Sequence, residues 1–170
     1  MTSDHFSYLI ILGSDQGDGK KKSTFNYSPS SQKDGVDPQE IYPMSSYPYK
    51  GKAFIINNKI FKASSGMEKY PRNGTDVDAE ELYQLFKSFG FETKVFHNQT
   101  TKETLAIADL YSRANYSRYD CFICVILTHG EEGLIFSTDG KLPIKEFTSK
   151  FRSPQLLGKP KLFFFQACQG

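Results

Sequence analysis

Apolar and polar positions divide this chain into two stretches. Residues 1–46 are rich in Ser, Gly, Asp, Lys and Pro and hold no sustained period apart from a short apolar run at 8–12. Such a composition buries too little apolar surface to offset the entropy of ordering, which predicts a flexible leader. Beyond it, short apolar runs alternate with segments of helical period. Residues 53–56 (Ala-Phe-Ile-Ile) predict a buried strand, and a polar loop follows to Gly74. Thr75 is placed to cap a helix over 75–88, whose Leu82, Leu85, Phe86 and Phe89 recur at i, i+3, i+4 and i+7 and which Gly90 stops. Residues 91–96 predict a strand. Thr100 and Glu103 form a capping box for a second helix, in which Ile107, Leu110, Tyr111 and Ala114 repeat the spacing. Residues 121–128 are a continuous apolar strand. Residues 134–136 and those after Asp139-Gly140 predict a hairpin, because Asp-Gly suits a tight turn. A short helix from 144 to about 151 precedes a last strand at 161–165.

Strands that alternate with helices, with central strands apolar throughout, describe an α/β fold: a mostly parallel central sheet with helices on both faces. In such sheets ligands bind beyond the carboxyl ends of the strands. His129 follows one such end and Cys168 another. Were those strands neighbours, about 4.8 Å apart, both side chains would emerge at one edge.

Composition narrows the classes. A chain of 170 residues suits one domain. The formal charge of +2 is too small to argue for nucleic acid, and the basic run Lys20-Lys21-Lys22 lies in the polar leader. No stretch approaches the roughly 18 apolar residues of a membrane span, and the run at 8–12 is too short for a signal segment. Three sparse cysteines suggest no disulfide framework, so a reducing, cytoplasmic compartment is expected.

A thiol with an ordinary pKa of about 8.5 is mostly protonated at neutral pH, and a nearby imidazole can accept its proton and later donate one to a leaving amine. Attack on a carbonyl also needs donors for the developing oxyanion, and the backbone N–H groups of Gly130 and Cys168 are the candidates. Spacing alone leaves a second reading open, with Cys168 a small buried hydrophobe and His129 a loop residue. Cys121 and Cys124 form a C-x-x-C inside an apolar strand, where residues three apart face opposite sides; neither zinc nor redox function is expected there. His5 and His97 lack any constellation, and Glu131-Glu132 reads as solvated charge. No metal and no organic cofactor is implied.

The run Phe54-Ile55-Ile56-Asn57-Asn58 is followed by Arg72-Asn73-Gly74-Thr75-Asp76-Val77-Asp78-Ala79, by Asp120-Cys121-Phe122 and by Thr128-His129-Gly130-Glu131-Glu132-Gly133. The series closes with Gly158-Lys159-Pro160-Lys161 and Gln166-Ala167-Cys168-Gln169-Gly170. In these motifs residues 47–170 resemble the large subunit of a caspase, whose known signature is Q-A-C-[RQG]-G with a histidine roughly 50 residues upstream. The gap here is shorter.

The resemblance implies a cysteine endopeptidase (a thiol protease and hydrolase, made as a zymogen) that cleaves after aspartate in apoptotic or inflammatory signalling. Cys168 is then the nucleophile, His129 the acid–base partner, and Gly130 and Cys168 the oxyanion donors. Tyr70 supplies the main-chain carbonyl that orients the histidine. Arg72 and Gln166 belong to the pocket for the aspartate before the scissile bond, which agrees with the match of a guanidinium fork to a carboxylate. A relative cleaving after basic residues or asparagine would not suit Arg72. The resemblance further implies a caspase small subunit as partner, a dimer of large–small pairs, protein substrates, and neither nucleic acid nor membrane.

Departures from the pattern are Lys50-Gly51 for the usual Arg-Gly, Thr128 for serine and Gln169 for arginine. Gln169 resembles initiator caspases and the short leader an executioner, so that choice stays open, as do Asp18 and Asp34 as processing points. The chain stops two residues after Cys168, and on this reading the fold is incomplete and inactive without the small subunit. An alternative from another class is a truncated, inactive caspase-like regulator that binds caspases.

Overall fold

A computed structural model describes residues 46–167 and the strand Ser7–Gly13. In chain order the elements are β1 (Ser7–Gly13), β2 (Tyr49–Asn57), α1 (Thr75–Ser88), β3 (Phe91–His97), α2 (Thr101–Ser112), β4 (Tyr119–Leu127), β5 (Gly130–Glu131), β6 (Leu134–Ser137), β7 (Gly140–Pro143), α3 (Ile144–Ser149) and β8 (Lys161–Ala167). The central sheet has the order β1-β8-β4-β2-β3. Strands β8, β4, β2 and β3 are parallel, and β1 lies antiparallel along the outer edge of β8. The fold is the α/β arrangement expected from the pattern, a mostly parallel central sheet with helices on both faces.

The uninterrupted apolar strands follow from burial on both sides. On one face Phe54, Ile56, Phe122, Cys124, Ile126, Phe163 and Phe165 pack with Ile107 and Ala108 of α2 and Ile144 and Phe147 of α3. On the other Ala53, Ile55, Ile123, Val125 and Leu127 pack with Ala79 and Phe86 of α1. The first face is dominated by aromatics: Phe122 stacks on Phe151 at 4.7 Å between ring centroids, and Phe54 and Phe163 close around them. Gly51 is required by close approach, because a Cβ there would meet the Cys121 carbonyl at 2.5 Å and the Phe91 ring at 2.6 Å.

The capping box of α2 is present in both directions, between Thr100 and Glu103. Thr75 differs from expectation. The N-cap of α1 is Gly74, with φ +90°, and Thr75 is the first helical residue, its hydroxyl turned inward to Asn57 instead of onto the helix end. The stripe of α1 is also rotated: Ala79 and Phe86 are buried, whereas Leu85 and Phe89 are exposed. A 3.6 period identifies a helix but places its contact face only to within one neighbouring position. The Asp139-Gly140 hairpin joins β6 to β7, and β5 adds a third strand that the pattern did not suggest. In the expected leader, Ser7–Gly13 is a strand rather than irregular chain, paired along its length with β8. The remainder of residues 1–45 lies outside the described residues.

Candidate active site

The carboxyl ends of the parallel strands converge on one edge. In the register of β4 and β8, Leu127 lies opposite Gln166, and Thr128 N–H donates to the Gln166 carbonyl at 3.1 Å. The strand preceding His129 and the strand preceding Cys168 are therefore direct neighbours, as the placement of those two residues requires. Cys168 itself, with Gln169 and Gly170, lies outside the described residues.

His129 is half-buried and held from two sides. Its Nε2 lies 2.7 Å from the Tyr70 carbonyl oxygen, the contact the resemblance implied. A carbonyl only accepts, so Nε2 carries the proton and the neutral ring keeps its lone pair on Nδ1. The buried Phe61 packs on the imidazole at 4.9 Å between centroids. Burial pushes the imidazole pKa below its usual 6.5; the Tyr70 carbonyl opposes that shift, and the nearby Arg72 charge adds to it. The net direction favours the neutral ring at physiological pH, which is the form a general base needs.

Gly130 follows at the start of β5 opposite Ile135. Phe136 N–H donates to the His129 carbonyl at 2.9 Å, which makes Gly130–Ile135 a pair of the non-hydrogen-bonded kind. The Gly130 N–H therefore points away from β6, an orientation compatible with an oxyanion donor.

The loop between β2 and α1 carries both Tyr70 and Arg72. Its ends are closed by Arg72 N–H donating to the Lys59 carbonyl at 3.0 Å, and its middle is tied down by Ser64 Oγ donating to the Asp139 carbonyl. Asn98, at φ 53°, accepts the N–H groups of Lys59 and Ile60 at 2.9 Å each. The Arg72 guanidinium donates through Nη1 to Thr75 Oγ1 at 2.7 Å and to the Asn58 carbonyl at 3.3 Å, and through Nη2 to Gln166 Oε1 at 3.5 Å. Of the residues expected at the site, His129, Gly130, Arg72 and Gln166 thus lie at this one edge.

Three residues at this edge were not assigned to the site from the sequence. Asn57, Phe61 and Thr75 are buried and touch Arg72 or His129 directly or through one bond. Asparagines ending an apolar strand are the signal that could have found the first. Cys121 and Cys124 are free thiols inside β4, both with pKa pushed up by burial, Cys121 to about 11. They suit no nucleophilic or redox role. Among the described residues no cluster of His, Cys, Asp and Glu is placed to hold a metal, and no helix is long and apolar enough to cross a membrane.

Comparison with known proteins agrees with the geometry. The caspase domain family model matches residues 50–170. Caspase-7 of Gallus gallus is 39% identical over 170 residues, which is 98% of this chain and 54% of the chicken protein. Caspase-3 of Mesocricetus auratus and of Bos taurus are each 43% identical over 139 residues, 80% of this chain and about half of those proteins. The chain spans about half the length of the curated relatives it matches. With most of the chain covered by the family model, and with the histidine and arginine motifs converging on one sheet edge, the chain belongs to the caspase family.

Proposed function

We propose that this chain carries the catalytic half of an aspartate-directed cysteine endopeptidase that acts in apoptotic or inflammatory signalling. The observation that carries the reading is the Tyr70 carbonyl on His129 Nε2, which leaves Nδ1 as the base beside the strand leading to Cys168. His129 Nδ1 takes the thiol proton, and the Cys168 sulfur attacks the carbonyl carbon of the scissile peptide. The oxyanion that forms is met by the backbone N–H groups of Gly130 and Cys168. Collapse breaks the C–N bond, the amine leaves with the proton from Nδ1, and a thioester remains. Water then adds with Nδ1 as base, releasing the acid and restoring the thiol. Arg72 and Gln166 receive the aspartate side chain before the scissile bond.

On this reading a small subunit completes the pocket, large–small pairs dimerise, a zymogen is the form first made, and residues 1–46 are a short prodomain. A reducing cytoplasm suits a nucleophile that must stay a free thiol.

The test uses the full-length protein that contains these residues, treated with a peptide ketone bearing aspartate at its reactive end and read by intact mass. The expected result is one adduct, on Cys168, lost in Cys168→Ala and absent with the matching lysine ketone. No adduct on Cys168 while the protein still binds other caspases would overturn the reading in favour of an inactive regulator.

A further inference from the structure

The hydrogen bonds behind Arg72 form a chain that can run in only one sense. The Asp76 carboxylate accepts only, so the Asn57 amide must present Nδ2 to Asp76 Oδ1, at 2.8 Å. That fixes the amide, and Asn57 Oδ1 then accepts the single hydroxyl proton of Thr75, also at 2.8 Å. With its proton committed, Thr75 Oγ1 offers only lone pairs, and Arg72 Nη1 donates to it at 2.7 Å. Lys59 holds the far end, with Nζ 2.7 Å from Asp76 Oδ2. Asn57 and Thr75 are both buried, at 0% and 3% exposure, so water does not compete for these groups.

The anchors are rigid. Asn57 is the last residue of β2, in register with Leu127 on one side and His97 on the other. Thr75 opens α1. The relay therefore ties one nitrogen of a long, flexible side chain to the carboxyl edge of the central sheet, and Asn58 holds the same nitrogen from a second direction. A guanidinium fixed at Nη1 cannot turn about its own axis, so the face it offers a ligand is set before the ligand arrives, and less ordering entropy is lost on binding.

We propose that Thr75 and Asn57 are positioning residues that orient the Arg72 guanidinium and thereby set selection of the substrate carboxylate. This rests on the reading of Arg72 as the ligand of the substrate aspartate. Neither residue touches the substrate; they act through Arg72.

The full-length protein is assayed with paired peptides that differ only in Asp or Glu before the scissile bond. Thr75→Val keeps the shape of the side chain and removes the acceptor. The expected result is a KM for the Asp peptide raised about tenfold, the size of one lost hydrogen bond to a charged group, with kcat within twofold. Thr75→Ser restores it, preference for Asp over Glu narrows in Thr75→Val, and Thr75→Val adds little to Arg72→Ala. Asp76→Asn, on the surface, raises KM in the same direction by a smaller factor and serves if Thr75→Val does not fold. An unchanged KM in Thr75→Val or in Asp76→Asn, with KM raised in Arg72→Ala, overturns the proposal and leaves the role of Arg72 standing. A uniform fall in kcat for both peptides in Thr75→Val also overturns it, because that is the mark of general disruption. Normal cleavage of the Asp peptide by Arg72→Ala removes the underlying reading instead.

Discussion

The Tyr70 carbonyl oxygen lies 2.7 Å from His129 Nε2 and fixes the tautomer of the neutral ring, with the proton on Nε2 and the lone pair on Nδ1. A main-chain carbonyl does the orienting that a carboxylate does elsewhere, without placing a full negative charge next to the imidazole. Burial and the Arg72 charge outweigh the opposing pull of that carbonyl and keep the ring easier to deprotonate than a free histidine.

The acid limb of kcat/KM should follow from that. With His129 as the proposed base the neutral ring is the working form, and its folded pKa lies below 6.5, so activity should fall as pH drops through a midpoint below 6.5. A pH profile of the full-length protein with an Asp peptide measures it, and a midpoint above 6.5 would contradict the assignment. His129→Ala should abolish turnover, as should Cys168→Ala.

Arg72→Ala should raise KM for Asp peptides by about ten- to a hundredfold, the cost of losing charge-assisted bonds to a carboxylate. Arg72→Lys should recover little, since a point charge on a flexible stem cannot reproduce the contacts to Thr75 and the Asn58 carbonyl together. Steady-state kinetics of both variants decide it.

Phe122→Ala should destabilise the domain by about 3–5 kcal/mol through a cavity in the centre of the aromatic cluster. Phe122 is fully buried and stacks on Phe151. Denaturant unfolding gives the value, with a shifted midpoint and an unchanged slope expected. A loss under 1 kcal/mol would mean the cluster repacks freely.

Gly51→Ala should lower stability by about 1–3 kcal/mol, as overpacking against a neighbouring strand does. The added carbon meets backbone, the Cys121 carbonyl at 2.5 Å, so a side-chain rotation cannot relieve it. A thermal melt no lower than that of the parent protein would show that β2 and β4 separate more easily than their register suggests.

Local pattern along the chain sufficed for most of the element types and for the α/β class, and the motifs singled out the candidate site residues. Strand runs such as 53–56, helical spacing such as Ile107 to Ala114, the Thr100–Glu103 box and the Asp139-Gly140 turn are all local signals, readable within a few positions. The motifs around Arg72 and His129 were legible because their residue types have few other uses together. Which strand lies beside which was settled by folding, and with it the contacts of Tyr70 with His129 and of Gln166 with Arg72 across 94 residues, which the family resemblance implied but no local signal carries. It also moved Thr75 from an expected helix cap to the hydroxyl that holds Arg72, and placed Ser7–Gly13 along β8. The physical reason is the same in each case. A period or a cap is set by neighbours along the chain, whereas a buried hydroxyl or an open strand edge takes the partner that folding brings to it.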